Sequence, residues 1–259
     1  MEVLGIEIGS SKIRGAIVDV HKGELLTDIT TLDQDKNLEP HKLVSRIHKL
    51  AKKIDWKGPI GCTFPAPIRK GVVLRTDKVH ESWVDVDAEH LFSEITSGEV
   101  KVVNYSDAVG IAEMEFGSGD GKNGTVLILT IEEQIGSSLF YNGELIPNME
   151  LGHIELRGIS VQDRASNKVR KQEGISSKQW AARIHYILEN YERIFHPQLF
   201  IIGGKASRKA NKIFPYINVN TKVKSTTFMK EAGIVGAAMF AYKNTALSRP
   251  KIKKKAAGH

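Results

Sequence analysis

Four short turns in this chain carry the residue types that phosphate chemistry uses: Gly9-Ser10-Ser11-Lys12, Asn104-Tyr105-Ser106-Asp107, the stretch from Thr130 to Gly136, and the Gly203-Gly204 pair. Each follows an apolar, strand-like run, so each places backbone N–H groups where they can face an anion. Small residues and glycines there allow close approach to the backbone. The matching chemistry is phosphoryl transfer, which depends chiefly on positioning and charge stabilisation. One such turn carries little, because any α/β protein has several; four together could build a cleft. Lys12 has two readings, an anion-attracting cation or a solvated lysine on a turn.

The elements that must position these turns follow from hydrophobic periodicity. Apolar runs over 3–8 and 13–20 flank the first turn, and a third strand is predicted over 24–30. Leu43, Ile47, Leu50 and Ile54 share one face of an amphipathic helix. Strands are predicted over 59–64, 71–75 and 100–103, with a short helix over 87–95. The order then recurs: a helix over 106–116, a turn-rich break over 118–124, and strands over 125–131 and 136–141 ending in the hairpin signal Asn142-Gly143. A long helix over 177–195, striped by Trp180, Ile184, Ile187, Leu188, Tyr191 and Ile194, precedes strands over 198–202 and around Val223 and a small-residue helix over 232–242. Two blocks that each open with a hairpin predict an α/β protein with two lobes around a cleft. The boundaries expected are 1–105 for the amino-terminal lobe, 106–247 for the carboxy-terminal lobe, whose last helix has the option of packing back on the first, and 248–259 for a basic tail.

Composition narrows the function classes. The 259 residues are 41% hydrophobic and 26% charged, which excludes a mainly disordered chain. The net charge of +7, from 37 basic and 30 acidic residues, raises the question of a polyanionic partner. Arg249, Lys251, Lys253, Lys254 and Lys255 supply five of those positives, and without them 32 basic residues face 30 acidic ones. The tail has no interleaved aromatics and adjoins no nucleic-acid module, so it reads as a solvated segment, with polyanion or nucleic-acid binding as the alternative. The single cysteine, Cys62, excludes an intrachain disulfide and a Cys-rich zinc site, and its apolar surroundings make it a buried thiol. No signal-like segment opens the chain and no run approaches ~20 apolar residues, so a cytoplasmic protein without a membrane partner is expected.

Five segments appear in a telling order: Glu7-Ile-Gly-Ser-Ser-Lys-Ile-Arg-Gly-Ala-Ile-Val-Asp19, Asn104–Asp107, Leu145-Ile-Pro-Asn-Met-Glu-Leu-Gly-His-Ile-Glu155, Ile202-Gly203-Gly204 and Ala232-Gly-Ile-Val-Gly-Ala-Ala238. On these the chain resembles the polyphosphate glucokinases of the ROK (repressor, open reading frame, kinase) family, from about Glu2 to Tyr242. The resemblance implies a two-lobed, actin-like ATPase or ribonuclease H-like sugar kinase fold. It implies phosphoryl transfer from polyphosphate or ATP, with Mg²⁺, to the 6-hydroxyl of glucose, and a homodimer. It assigns Asn104, Glu150 and His153 to sugar hydroxyls, with Gln162 at the place of a further sugar-holding acid. It assigns Gly9, Ser10, Ser11, Lys12, Thr130, Gly136, Gly203 and Gly204 to phosphate. For Glu150 and His153, bracing of the lobe junction is the alternative. The family's regulators carry an amino-terminal DNA-binding domain; with a first strand starting near Glu2, none is expected here.

The departures from the family pattern fall on the chemistry. The segment Asn-Asp-Ala-Asp, whose first Asp accepts the sugar hydroxyl's proton, reads Asn104-Tyr105-Ser106-Asp107. A carboxyl with a pKa of about 4 is a base at neutral pH, whereas a phenol near ~10 is a donor. Tyr105 is also bulkier and is expected to extend into the sugar site. Asp107 lies about 200° further round a helix and is expected to point away, as a charge in the first helical turn or, alternatively, as a displaced base. The phosphate loop Thr-x-Gly-Thr-Gly-Ile-Gly reads Thr130-Ile131-Glu132-Glu133-Gln134-Ile135-Gly136. A carboxylate ~5 Å from a phosphate charge costs about 3 kcal/mol at an effective dielectric of ~20. Coordination of Mg²⁺ by Glu132 and Glu133 is the alternative. Glu7, Ser10, Lys12 and Arg14 alter the first motif, and Ala66, Lys78 and Lys205 alter three others. These changes predict an impaired kinase, a pseudokinase with a sugar-binding or regulatory role and no resident metal. An active kinase using an altered base is the alternative, with Mg²⁺ and polyphosphate or ATP as its requirement.

Overall fold

The computed structural model describes residues 1–9, 11–35, 38–76, 79–96, 98–228 and 230–245. Ser10, Lys78 and the 248–259 tail lie outside the described residues.

The first sheet begins with β1 (Glu2–Ile8) and β2 (Lys12–Asp19), paired antiparallel from Glu2–Asp19 to Ile8–Ile13. The strand expected over 24–30 is two strands, β3 (Glu24–Leu25) and β4 (Thr30–Asp33), which both pair β2. The break arises because the Thr27 hydroxyl accepts the Ile17 N–H at 3.1 Å, taking a donor the ladder would have used. Proline in the first turn starts α1 (Pro40–Ile54), which buries Leu43, Val44, Ile47, Leu50 and Ala51. Then come β5 (Ile60–Phe64), the small hairpin β6 (Ile68–Arg69) and β7 (Val72–Val73), α2 (Ala88–Ser93) and β8 (Val100–Asn104). The sheet runs β3-β2-β1-β5-β8, with β5 parallel to both neighbours.

The second half opens with α3 (Tyr105–Phe116), the hairpin β9 (Thr125–Ile131) and β10 (Ile135–Tyr141), and β11 (Glu144–Ile146). A second small hairpin, β12 (Glu155–Leu156) and β13 (Ile159–Ser160), leads into α4 (Val161–Ala165), α5 (Asn167–Gln172) and the long α6 (Ser177–Phe195). The chain continues through β14 (Leu199–Gly203), α7 (Gly204–Ser207), α8 (Ala210–Ile213), β15 (Lys222–Ser225) and α9 (Ala232–Asn244). This sheet runs β11-β10-β9-β14-β15. A capping box from Ser176 and Gln179 starts α6, which buries the expected stripe except Ile194, 56% exposed. The last turn runs past the core, and Phe195 turns back onto Tyr191 in its place.

Packing makes layers. α1 and α2 cover the outer face of the first sheet, and α6 covers that of the second. Between the sheets lie α3 and α9, joined to both by one apolar cluster that includes Val3, Val18, Ala112, Val235, Ile128 and Phe140. Glycines make this middle layer thin enough to fit. A Cβ on Gly61 would sit 1.9 Å from the Ala237 carbonyl oxygen, and one on Gly236 would sit 1.7 Å from that of Ala108. The last helix thus lies on the first sheet, against the chain order. Cys62 is fully buried in β5, and burial pushes its thiol pKa up. Among the described residues no helix is long and apolar enough to cross a membrane.

Candidate functional site

β8 delivers Asn104 to the base of a cleft of about 600 Å³, where its side chain caps α3. Asn104 Oδ1 accepts the N–H groups of Ser106 at 2.8 Å and Asp107 at 3.4 Å, the donors a helix start leaves unpaired. Its Nδ2 donates to the Ala66 carbonyl at 3.2 Å and to Glu150 Oε1 at 3.4 Å. Glu150 also stands 3.7 Å from His153 Nε2. Asn104 and Glu150 therefore form the polar end of the cleft, with acceptor capacity left on the Glu150 carboxylate.

Tyr105, the first residue of α3, lines the same cleft. Its ring lies against α9, with Cε2 at 3.1 Å from where a Cβ on Gly233 would be, and its charged neighbours are Glu7, Arg14, Glu132 and Arg208. Tyr105 therefore borders both the cleft that holds Asn104 and Glu150 and the recess at the glycine turns. Burial, then the charge of Glu7, push the phenol above its ordinary pKa, so it stays a protonated donor. Beside it, Thr130 and Gly203 are register partners of β9 and β14. The recess bounded by Tyr105, Thr130, Glu132, Gly203, Gly204 and Arg208 measures about 20 Å³. It shares Tyr105, Thr130 and Glu132 with the larger cleft.

The loop after β9 is closed on itself. The Glu132 N–H donates to the Gln134 carbonyl at 2.9 Å, and the Glu132 carbonyl accepts the Asn167 N–H at 2.8 Å. Glu132 lies over Gly204, its Cγ 3.0 Å from a Cβ built there, and pairs Arg208 at 3.5 Å. Glu133 accepts from Lys171 at 2.6 Å and from Asn167 at 3.1 Å, and these partners, the Lys171 hydrogen bond first, hold its pKa down. The two acids are thus paired by cations from α5 and from just after α7. The first turn is similar: the Gly9 N–H donates to the Lys12 carbonyl at 2.9 Å, and its carbonyl accepts from Gln34 Nε2.

The acids nearest the glycine turns are paired by cations of the chain itself. Glu7 Oε1 is taken by Arg14 at 2.6 Å, and among the described residues no three His, Cys, Asp or Glu side chains converge as a metal group. Burial raises the Glu7 pKa against the pull of Arg14, which further weakens it as a ligand.

The cleft brings together Gly9, Asn104, Tyr105, Thr130, Gly136 and Glu150, and the adjoining recess adds Gly203 and Gly204. Ser11, Lys12, His153, Gln162 and Asp107 do not line either. Lys12 is 60% exposed, 3.9 Å from Asp33. Asp107 is buried, and its Oδ2 accepts the Asn148 N–H at 2.8 Å. Residues that the sequence left unmarked also enter: Gln34 and Lys168 line the cleft, and Ser106 Oγ lies 2.2 Å from where a Cβ on Gly136 would be. Nothing local distinguishes Gln34 or Lys168 in sequence, since each reaches the cleft from a connection or short helix distant in the chain.

Two five- and six-stranded sheets with helices between them, and a cleft floored by the end of β8 and the turn after β9, define the actin-like sugar kinase fold. A family model described as "ROK family" matches residues 3–174. Polyphosphate glucokinase from Mycobacterium tuberculosis is 36% identical over 242 residues, covering 93% of this chain and 91% of the relative. The Mycobacterium leprae polyphosphate glucokinase is 36% identical over 236 residues, covering 91% and 73%. The crystal structure of inorganic polyphosphate/ATP-glucomannokinase from Arthrobacter sp. strain KM superposes with a TM-score of 0.87 at 33% identity, covering 94% of this chain and 99% of that one. A Streptomyces griseus ROK glucokinase in complex with glucose and AMPPNP shares the fold at TM-score 0.78 and 17% identity, covering 94% and 100%. The chain belongs to the ROK family.

Proposed function

We propose that this protein is a polyphosphate-glucokinase-like sugar binder whose phosphoryl-transfer step is impaired. The observation that carries this reading is Tyr105: a protonated phenol at the family's base position, packed on Gly233 and bordering the recess beside Gly203 and Gly204. The sugar end is different in kind. Asn104 and Glu150 remain at their motif positions and border open volume, so a neutral polyhydroxylated ligand of glucose size can donate its hydroxyls to the acceptor capacity left on Glu150. Phosphate finds the opposite, because the N–H groups of Gly9 and Glu132 are bonded within their own turns and two carboxylates replace loop residues. Binding of glucose without turnover, in a sensing or regulatory role, is the function that combines the two ends.

The test uses the purified full chain with glucose, Mg²⁺ and either polyphosphate or ATP. Titration calorimetry is expected to give glucose binding, and a coupled assay is expected to give no glucose 6-phosphate above background. Turnover at an ordinary kinase rate overturns the impaired reading in favour of an active glucokinase. Absence of glucose binding together with absence of turnover overturns the sugar-binding reading.

A further inference from the structure

Asn148 occupies the strap over 147–150 that leaves β11 and enters the turn at Leu151–His153. Its side chain makes two hydrogen bonds to the backbone of a single residue, Ile68. Asn148 Oδ1 accepts the Ile68 N–H at 2.9 Å, and Nδ2 donates to the Ile68 carbonyl at 2.7 Å. Ile68 belongs to the first-sheet half and Asn148 to the second, so this pair joins the two halves. The backbone of Asn148 is left-handed, with φ of 59°. Asparagine tolerates that conformation better than most residues. On the other side its N–H is taken by Asp107 Oδ2 at 2.8 Å. Ser137 of β10 fastens the strap from below, its hydroxyl donating to the Met149 carbonyl and accepting the Leu151 N–H.

We propose that Asp107 and Asn148 form a latch between the two halves that positions Glu150 for the sugar, with both as positioning residues rather than contacts of the ligand. It rests on the sugar-binding reading for its ligand and on these hydrogen bonds for its mechanics. Glu150 follows Asn148 by two residues and meets Asn104, whose Oδ1 caps the same helical turn that carries Asp107. Asn104, Asp107, Asn148 and Glu150 thus close a ring with the 66–68 segment, and the ring holds the sugar-facing carboxylate at a fixed place. Opening the halves requires the two Ile68 bonds to break together.

Asp107 makes the latch pH-sensitive. Its Oδ1 is buried with no partner, and burial pushes its pKa up to about 7, with Glu150 adding in the same direction and the Asn148 N–H opposing. From the strap, Glu150 is the charged group facing it; β10 and α9 bring Ser138 and Gly236 to this part of α3, neither charged. The ionised carboxylate makes the stronger bond to the Asn148 N–H. Glucose affinity is therefore expected to fall as pH drops through neutrality.

The test compares wild type with Asn148→Gly, which keeps the left-handed backbone and removes only the side chain, and with Asp107→Asn. Amide hydrogen exchange of Ile68 is read without ligand, and glucose affinity is read by calorimetry from pH 6 to 8.5. The latch predicts slow Ile68 exchange in wild type and at least tenfold faster exchange in Asn148→Gly. It also predicts at least tenfold weaker glucose binding in that variant and a flattened pH profile in Asp107→Asn. Unchanged Ile68 exchange in folded Asn148→Gly overturns the latch. Unchanged glucose affinity there, with faster exchange, overturns the positioning role. If wild type binds no glucose, the sugar reading fails, and the exchange experiment still decides the latch.

Discussion

Arg14 Nη2 stands 2.6 Å from Glu7 Oε1 and 3.0 Å from the Lys230 carbonyl, so one guanidinium ties the first hairpin to the segment entering α9. Two residues that depart from the family's first motif, Glu7 and Arg14, are thus the two halves of one ion pair. The second oxygen, Glu7 Oε2, is buried without a hydrogen-bond partner.

Removing Arg14 leaves that carboxylate uncompensated. Arg14→Met is expected to cost about 2 kcal/mol, less than for a fully buried pair because the Arg14 side chain is 26% exposed. Glu7 already has a raised pKa in the fold, and losing Arg14 raises it further. A raised carboxyl contributes stability below its unfolded pKa that is lost as pH rises through the folded value. Urea denaturation should therefore show a larger loss at pH 8 than at pH 5, largely recovered in Glu7→Gln/Arg14→Met. An equal loss at both pH values would contradict the pairing.

Glu113 is buried in α3 and accepts three backbone N–H groups, from Ser118 at 3.0 Å, Thr227 at 3.0 Å and Phe228 at 2.7 Å. It staples the turn after α3 to the approach to α9. Glu113→Gln has one acceptor oxygen for three donors and adds an NH₂ among them. A loss of about 2–4 kcal/mol is expected from the donors left unpaired, measured as a lowered urea midpoint. A variant as stable as wild type would show that water satisfies those N–H groups.

Glu113 also marks where sequence stops being informative. Both hairpins, α1, α6 and α9 are legible because apolar periodicity is a local property. Glu113 sits in a helix as an acid would on any solvated face, and only residues more than a hundred positions away make it internal. The same holds in the cleft. Asn104, Tyr105 and Glu150 are marked by motif, whereas Asn148 gains meaning only from its bonds to Ile68, across 80 residues. The acids at 132 and 133 are visible as anomalies, but their partners Arg208 and Lys171 come from short helical segments that no periodicity marks. The expected repulsion of phosphate by bare carboxylates becomes, in the fold, a loop neutralised from within.

The thin middle layer gives a sharper steric prediction. Gly236→Ala would put a methyl group 1.7 Å from the Ala108 carbonyl oxygen, a backbone atom that cannot swing aside. α3 and α9 must separate to relieve it, which disturbs the cluster joining the two sheets. We expect a loss of about 3 kcal/mol or more, read by thermal unfolding. Gly236→Ala with unchanged stability would mean that α3 and α9 do not approach this closely.

Tyr105→Asp restores the family's residue at the start of α3 but places its carboxylate near Glu7 and Glu132, two like charges that Arg14 and Arg208 offset only in part. Glu132 and Glu133 also still stand in the phosphate loop. A single carboxylate ~5 Å from a phosphate opposes it by about 3 kcal/mol, roughly a hundredfold in rate, and the Arg208 and Lys171 pairs reduce this to tens of fold. The single variant is therefore expected to form glucose 6-phosphate slowly at best with polyphosphate or ATP. Adding Glu132→Gly, Glu133→Thr and Gln134→Gly reopens the turn over Gly204 and is expected to raise the rate about tenfold or more above the single variant. If Tyr105→Asp alone turns over at an ordinary kinase rate, the loop acids are harmless and the phenol is the whole of the impairment. If the combined variant gains nothing while still folding, the lost N–H cradle at Gly9 and its Lys12 bond become the block to remove next.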